Sequence, residues 1–266
     1  MSLHEASRLP SRQSGKRLIV TADDVGLHPG MTAGAIRAHR EGIVTACSVV
    51  ANGAAFDDAV ARLRDVPSLE VGVHLALVEE RSLTGLFMPG KYTAFVPLYL
   101  LRALSIVEIE RELRAQIERV LASGLRVTHL NGHQHLHLLP RIFAVVARLA
   151  REYGIDYVRI VDDRGGGARG LSMALLSALG RRARAPFTND HTVGVAIAGH
   201  LQDVVPLLDH VVGVTELVTH PGVGVSGYAW GYAWEEETRA LCDPRLREEL
   251  ARREIEMATP SGVRQR

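Results

Sequence analysis

The chain has 266 residues, 47% of them hydrophobic and 23% charged, a composition that suits a folded globular protein and excludes whole-chain disorder. A formal net charge of +1 provides no polycationic surface for nucleic acid, and the two cysteines, Cys47 and Cys242, stand far apart without a CxxC, as expected of a reducing compartment. No apolar run reaches the ~18 residues of a bilayer span and the start of the chain carries no apolar signal segment, so a cytoplasmic protein is expected.

In chain order, residues 1–16 are polar and basic and read as a disordered tail. Leu18 to Ala22 predicts a strand that ends at Asp23-Asp24, and Gly30 to Glu41 a helix stopped by Gly42. Val44 to Val50 and Leu69 to His74 predict two more strands, with a helix over Asp57 to Arg64 between them. Val78 to Pro97, punctuated by Gly85, Pro89 and Gly90, reads as one long connection of the kind that forms lids. The aliphatic stretches Leu98–Leu101 and Leu104–Ile109 could touch a membrane surface, but burial in a helix against the core is the favoured reading. Ile106 to Leu121 has helical spacing, Val127 to Asn131 is a strand, and Pro140 at a first helical position opens Arg141 to Tyr153. Asp156 to Ile160 and Glu216 to Thr219 are further strands, separated by a glycine-rich loop over Asp162 to Gly170. One domain over 17–258 is expected, with 259–266 a flexible tail.

Strands alternating with helices imply a parallel sheet with right-handed crossovers, and a single closed or nearly closed β/α barrel is preferred to an open doubly wound sheet. Asp23-Asp24, His74, His133 and His220 each fall at or just beyond the C-terminal end of a predicted strand. In parallel barrels those ends gather at one face, so residues far apart in sequence would converge there.

The densest signal is Thr128 to His137, with histidines at 129, 133, 135 and 137, where chance would place about 0.4. Neutral imidazole is the commonest metal ligand near neutral pH. Strand alternation puts His129, Asn131 and His133 on one face, with His133 nearest the strand end as the best ligand candidate. His129 would then sit lower in the barrel beside a ligand, and His135 and His137 would line the substrate groove or orient a ligand. Asp23-Asp24 reads either as a solvated turn or as a pair with two jobs, one carboxylate on a cation and the other taking a proton from water. His74 adds a third convergent side chain, and His220, held by Pro221, suits a general acid. A GxSxG elbow and a Walker A motif are absent from the sequence.

The stretches LIVTADDVGL (Leu18–Leu27), GIVTACS (Gly42–Ser48), PSLEVGVHL (Pro67–Leu75), THLNGHQHLHLLP (Thr128–Pro140) and ELVTHPG (Glu216–Gly222), with their spacing, resemble the YdjC-like carbohydrate deacetylases. Asn131, and Asn189-Asp190 followed by Val193-Gly194 and Gly199, resemble the branch associated with hopanoid biosynthesis more than the chitooligosaccharide branch. The resemblance implies an irregular (β/α) barrel of the glycoside hydrolase/deacetylase type and one divalent cation, magnesium or zinc. It further implies hydrolysis of a linear amide bond on an N-acetylated sugar, either an oligosaccharide or a lipid-linked one. Carried over by motif, Asp24, His74 and His133 would hold the metal, Asp23 would be the base and His220 the acid, with Arg159 orienting Asp23 or binding substrate. A homodimer is compatible with this reading. A metal-dependent phosphoesterase and a non-catalytic sugar-binding barrel are the competing functions; the first would require a third, bridging acid that the motifs do not supply.

Overall fold

The computed structural model describes residues 15–162, 167–182, 187–228 and 230–264. Eight strands are present among them, all paired in parallel: β1 (Lys16–Val25), β2 (Ala46–Val49), β3 (Glu70–Leu75), β4 (Val127–Gly132), β5 (Tyr157–Val158), β6 (His191–Val193), β7 (Val214–Thr219) and β8 (Ile255–Met257). Their order is β5-β4-β3-β2-β1-β7-β6, with β8 pairing the start of β1. The sheet curls, and the segment before β6 returns to its far edge, where Val158 N–H donates to Phe187 O (3.0 Å). The seam is finished by side chains. The Asn189 amide and the Thr192 hydroxyl both donate to Ile160 O. The barrel expected from the sequence is therefore present as an irregular single α/β domain.

Helices α1 (Pro29–Glu41), α2 (Phe56–Leu63), α3 (Tyr92–Leu100), α4 (Ile106–Ala122), α5 (Pro140–Glu152), α6 (Gly167–Arg182), α7 (Val205–Leu208), α8 (Trp234–Leu241) and α9 (Arg245–Arg252) lie in the connections between strands or after β7. Their starts follow the local chemistry. Pro29 and Pro140 open α1 and α5, and Ser105 Oγ accepts from Glu108 N–H at the start of α4. The apolar faces of these helices bury the outer side of the sheet in one continuous core that includes Leu113, Ile117, Phe143 and Val146.

Several expectations are corrected. Asp23 and Asp24 do not follow the first strand but lie inside it, and the register against β2 shifts between Ala22 and Val25. The connection after β3 is not loop throughout, because residues from Tyr92 form α3 with Pro97 inside it. The two aliphatic stretches are only partly buried. Phe95, Tyr99 and Ile109 face the core, but Leu100, Leu101 and Val107 are 70%, 79% and 72% exposed, since each helix buries one stripe only. The C-terminal tail is not free over 259–264: Ser261 N–H donates to Glu70 Oε2 (3.0 Å) and Val263 is buried under the barrel. Residues 1–14 of the N-terminal tail lie outside the described residues, and Lys16 already belongs to β1. The glycine-rich loop lies partly outside them too, and from Gly167 the chain is helical. Strands β6 and β8 and the last two helices had no counterpart in the sequence reading. No helix among the described residues is long and apolar enough to cross a membrane.

Candidate metal centre and active site

In a regular strand, neighbouring side chains point to opposite faces, so two adjacent aspartates could not share one site. The bulge in β1 removes that obstacle. Asp24 adopts φ 63°, a left-handed conformation that aspartate tolerates better than most residues, and both carboxylates then line the same cleft at the C-terminal mouth of the barrel. That cleft, about 230 Å³, also contains His74, His133, His135, His220 and Tyr232.

Asp24, His74 and His133 each offer a ligand atom, and the three atoms lie within 4.8 Å of one another, all on buried residues. His74 Nε2 is 3.3 Å and His133 Nδ1 is 3.0 Å from Asp24 Oδ1. The surrounding bonds set the protonation of each ring. The Asn131 amide nitrogen donates to Asp23 Oδ1 (3.0 Å), so its oxygen must face His74 Nδ1 (2.8 Å), which accordingly carries the hydrogen. His133 Nε2 faces Glu79 Oε2 (3.2 Å), an acceptor, and carries its hydrogen in the same way. A neutral imidazole at either position would aim a lone pair at the Asp24 carboxylate. Two lone pairs and an anion facing one another need a cation between them, supplied either by protons or by a metal ion. The donor set, two imidazoles and one carboxylate, fits a late transition metal such as zinc. Without such an ion the protons take its place: burial disfavours charge on His133, but the Asp24 and Glu79 carboxylates outweigh it and push that ring up to about 10.

Asp23 occupies a different environment one residue away. Its Oδ1 accepts from Ser48 Oγ (2.8 Å), Asn131 Nδ2 (3.0 Å) and Arg159 Nη2 (2.9 Å), and its Oδ2 accepts from Arg159 Nη1. Burial alone would raise this carboxyl, but the Arg159 guanidinium overcomes it and holds Asp23 well below the usual carboxylate range. Arg159 is itself fully buried, and it reaches Glu216 Oε1 through Nε (2.9 Å) and Nη2 (2.8 Å). Thr21 Oγ1 and Tyr157 OH donate to the same Glu216 carboxylate, each at 2.7 Å.

His220 follows β7, with Nε2 3.8 Å from Asp24 Oδ2 on the side away from the two other histidines. Its turn is pinned from two directions: its own N–H donates to Glu237 Oε1 (2.6 Å), and Gly222 N–H donates to Thr238 Oγ1 (2.9 Å), both on α8. On the other side Gly34 of α1 packs so closely that an added Cβ would stand 2.4 Å from Gly222, which fixes the angle of entry into the site.

The remaining candidates separate. Arg159 meets Asp23 as described. His135 lines the cleft, and its backbone and that of Gln134 take φ 57° and 52°, turning the chain across the mouth. His137 Nε2 bonds Arg159 O (3.0 Å) and burial lowers it to about 4, so it acts as a neutral donor that fixes the backbone of Arg159. His129 does not touch the ligands. Its Nδ1 contacts Thr128 Oγ1 (3.0 Å), and its Nε2 lies where a Cβ on Gly72 would be only 2.3 Å away, which explains the glycine beside it. Burial lowers this ring as well, to about 4. Ser48, Glu79, Asn131, Glu216, Tyr232 and Glu237 were missed as site residues. Asn131 alone had a signal, its place on the face shared by His129 and His133.

Residues 17–252 match the family described as YdjC-like protein. A carbohydrate deacetylase from Brevibacillus brevis (strain 47 / JCM 6285 / NBRC 100599) is 40% identical over 149 residues, which is 52% of this chain and 57% of the relative. The match thus spans little more than half the length of that relative. Among solved structures, an Enterococcus faecalis V583 protein, conjecturally described as a cellobiose-phosphate cleavage protein, superimposes with a TM-score of 0.75 at 26% identity, over 94% of this chain and 99% of that one. An uncharacterized protein from Agrobacterium tumefaciens C58 shares the fold, with a TM-score of 0.53 at 16% identity over 96% and 92% of the two chains.

Proposed function

The chain belongs to the YdjC-like family, and on that premise we propose that it is a metal-dependent hydrolase that removes the N-acetyl group from an amino sugar and releases acetate. The observation that carries this reading is the convergence of Asp24, His74 and His133 with Asp23 and His220 beside them in one cleft. The carbohydrate deacetylase among the relatives supports the substrate class and the bond. Asp24 Oδ1, His74 Nε2 and His133 Nδ1 would hold the cation, and zinc suits these donors better than magnesium, which prefers oxygen. When bound, the cation supplies Lewis acidity to the acetyl carbonyl and acidifies the attacking water.

The chain's own residues do the rest. Asp23 takes the proton of the attacking water; its Oδ1 is saturated by three donors, so Oδ2 is the oxygen with capacity left. The four donors weaken Asp23 as a base but fix its position, and position counts for more in a preorganised site. His220 delivers a proton to the nitrogen as the C–N bond breaks, leaving a free amine and acetate. The alternative division, Asp23 on the cation and Asp24 as base, is disfavoured because Asp23 is already committed to Arg159.

A finer element of the proposal is a sugar that carries a lipid, as in the hopanoid-associated branch. It is supported by a second cavity of about 590 Å³, lined by apolar residues such as Val96, Leu139, Met173 and Leu176, that shares Gln134 and His135 with the cleft. The test is release of acetate by zinc-loaded protein from N-acetylglucosamine, its oligomers and octyl N-acetylglucosaminide. The reading fails if none of these and no other N-acetylated sugar yields acetate. The lipid element fails if the octyl glycoside has no advantage in kcat/KM over the free sugar.

A second expected result concerns the cation itself. Because His133 sits at about 10 in the metal-free protein, the ion must displace one proton near neutral pH. Apparent zinc affinity should therefore rise about tenfold per pH unit between pH 7 and 9. Chelator competition measures this, and a flat profile would remove His133 from the ligand set.

A further inference from the structure

The segment Gly227 to Trp234 reads Gly-Tyr-Ala-Trp twice in succession, placing an aromatic ring at every second position from 228 to 234. The rings form a continuous ladder: Tyr228–Trp230 at 4.8 Å between centroids, Trp230–Tyr232 at 5.6 Å and Tyr232–Trp234 at 5.7 Å. Its two ends are anchors. Tyr228 OH donates to Leu27 O (3.0 Å), and Trp234 opens α8 and packs on Gly222. Its two middle rings are at the chemistry. Trp230 lies 5.6 Å from the His133 ring at a tilt of 35°, and Tyr232 stands edge-on to His220 at 5.3 Å and forms part of the cleft wall.

Tyr232 is held there by its surroundings. Gly199, at φ 76°, approaches so closely that a Cβ would stand 2.2 Å from the Tyr232 ring, and Ala233 N–H donates to Gly199 O (2.7 Å). A side chain at 199 would push the ring out of the cleft. Both middle rings remain half-buried, although the interior of this barrel has room for aromatics as large as Tyr157. A ladder that only filled space would have no need to set its middle rings against His133 and His220.

We propose that Trp230 and Tyr232 are the sugar-binding platform of this site: they take the C–H face of the N-acetylated pyranose and thereby set its acetamido group over Asp24, His74 and His133. Aromatic rings offer a broad apolar surface of low conformational entropy, and the electron-rich ring face attracts the polarised C–H bonds of a pyranose. The proposal rests on the deacetylase reading and adds to it the residues that recognise the sugar ring. Tyr232 does this as a binding residue, without exchanging a proton.

Trp230 and Trp234 are the two tryptophans of the chain, so intrinsic tryptophan emission reports on this segment. The test uses zinc-loaded full-length protein and the N-acetylated sugar with the highest turnover in the acetate screen, or triacetylchitotriose if none is turned over. In Asp23→Asn protein, where the sugar persists, emission should change saturably, and the change should survive Trp234→Phe. Tyr232→Ala and Trp230→Ala should each raise KM at least tenfold, with kcat falling much less and zinc content unchanged; Tyr232→Phe, which keeps the ring, should restore KM. An emission spectrum unmoved by saturating sugar overturns the platform, as does a KM within twofold of wild type in both alanine variants. Failure to release acetate from any sugar overturns the deacetylase reading instead, and the emission titration with triacetylchitotriose then decides the platform by itself.

Discussion

His74→Ala, His133→Ala and Asp24→Asn are each expected to lower bound zinc to well below one equivalent and to reduce turnover by at least ~10³-fold. The magnitude follows from the several kcal/mol that a Lewis acid contributes to such a reaction, at about 1.4 kcal/mol per decade. Asparagine is the better test at 24, because φ 63° suits asparagine and would strain alanine. Asp23→Asn and His220→Ala are expected to behave differently. They should keep zinc near wild-type content and lose kcat by roughly 10² to 10⁴, the usual contribution of a positioned proton-transfer group. Metal analysis beside acetate release separates the two classes. Full zinc occupancy in His74→Ala and His133→Ala would end the ligand assignment. Loss of zinc in Asp23→Asn, with retention in Asp24→Asn, would exchange the roles of the two aspartates.

The candidate ligands were legible because each is a polar residue near the C-terminal end of an apolar strand, and those ends are gathered by the barrel without help from any one side chain. His74, His133 and His220 could be picked out on that ground alone. Nothing local, by contrast, marks the bulge that brings Asp23 and Asp24 to one face, since it arises where the pairing of β1 with β7 ends at Ala22 while that with β2 resumes at Val25. Glu216 illustrates the same limit. It begins a short apolar run and reads as a surface residue at a strand start, yet it is buried beneath the site because Arg159, 57 residues earlier, supplies the opposite charge. Asn131 joins His74 to Asp23 through both ends of its amide, a role visible only when β1 to β4 are assembled in one curled sheet. Helix α3 was hidden by Pro97, which falls in its second turn and reads as a helix stop. Pairings across the sheet decide these features, and a single sequence records residues more plainly than pairings.

Arg159→Met is expected to destabilise the fold by about 3–5 kcal/mol near pH 8, the usual result of leaving a buried charge without its partner. Here two carboxylates are stranded together, Asp23 above and Glu216 below, and Thr21, Ser48, Asn131 and Tyr157 can offset only part of the loss through neutral donors. The pH dependence gives the sharper test. In the wild type both carboxyls are held below their ordinary values despite burial, Asp23 furthest. Their stabilisation is fully present above the unfolded values of ~3.9 and ~4.3 and is lost as pH falls toward the folded ones, so these groups leave stability flat from pH 8 to 5. Without the guanidinium, burial raises both, and the sign reverses: stability is now lost as pH rises from the unfolded values through the raised folded ones. Relative to the wild type, the variant should thus gain stability on acidification from pH 8 to 5, as read by urea unfolding of both proteins at both values, the shifted histidines His129, His133 and His137 being common to the two. Arg159→Lys should fall between them, because an ammonium keeps the charge but cannot fork to both carboxylates. A loss below ~1 kcal/mol in Arg159→Met, or the same pH trend in variant and wild type, would mean that Asp23 is held by its neutral donors, and the arginine would then have to be explained by something other than the anchoring of the base.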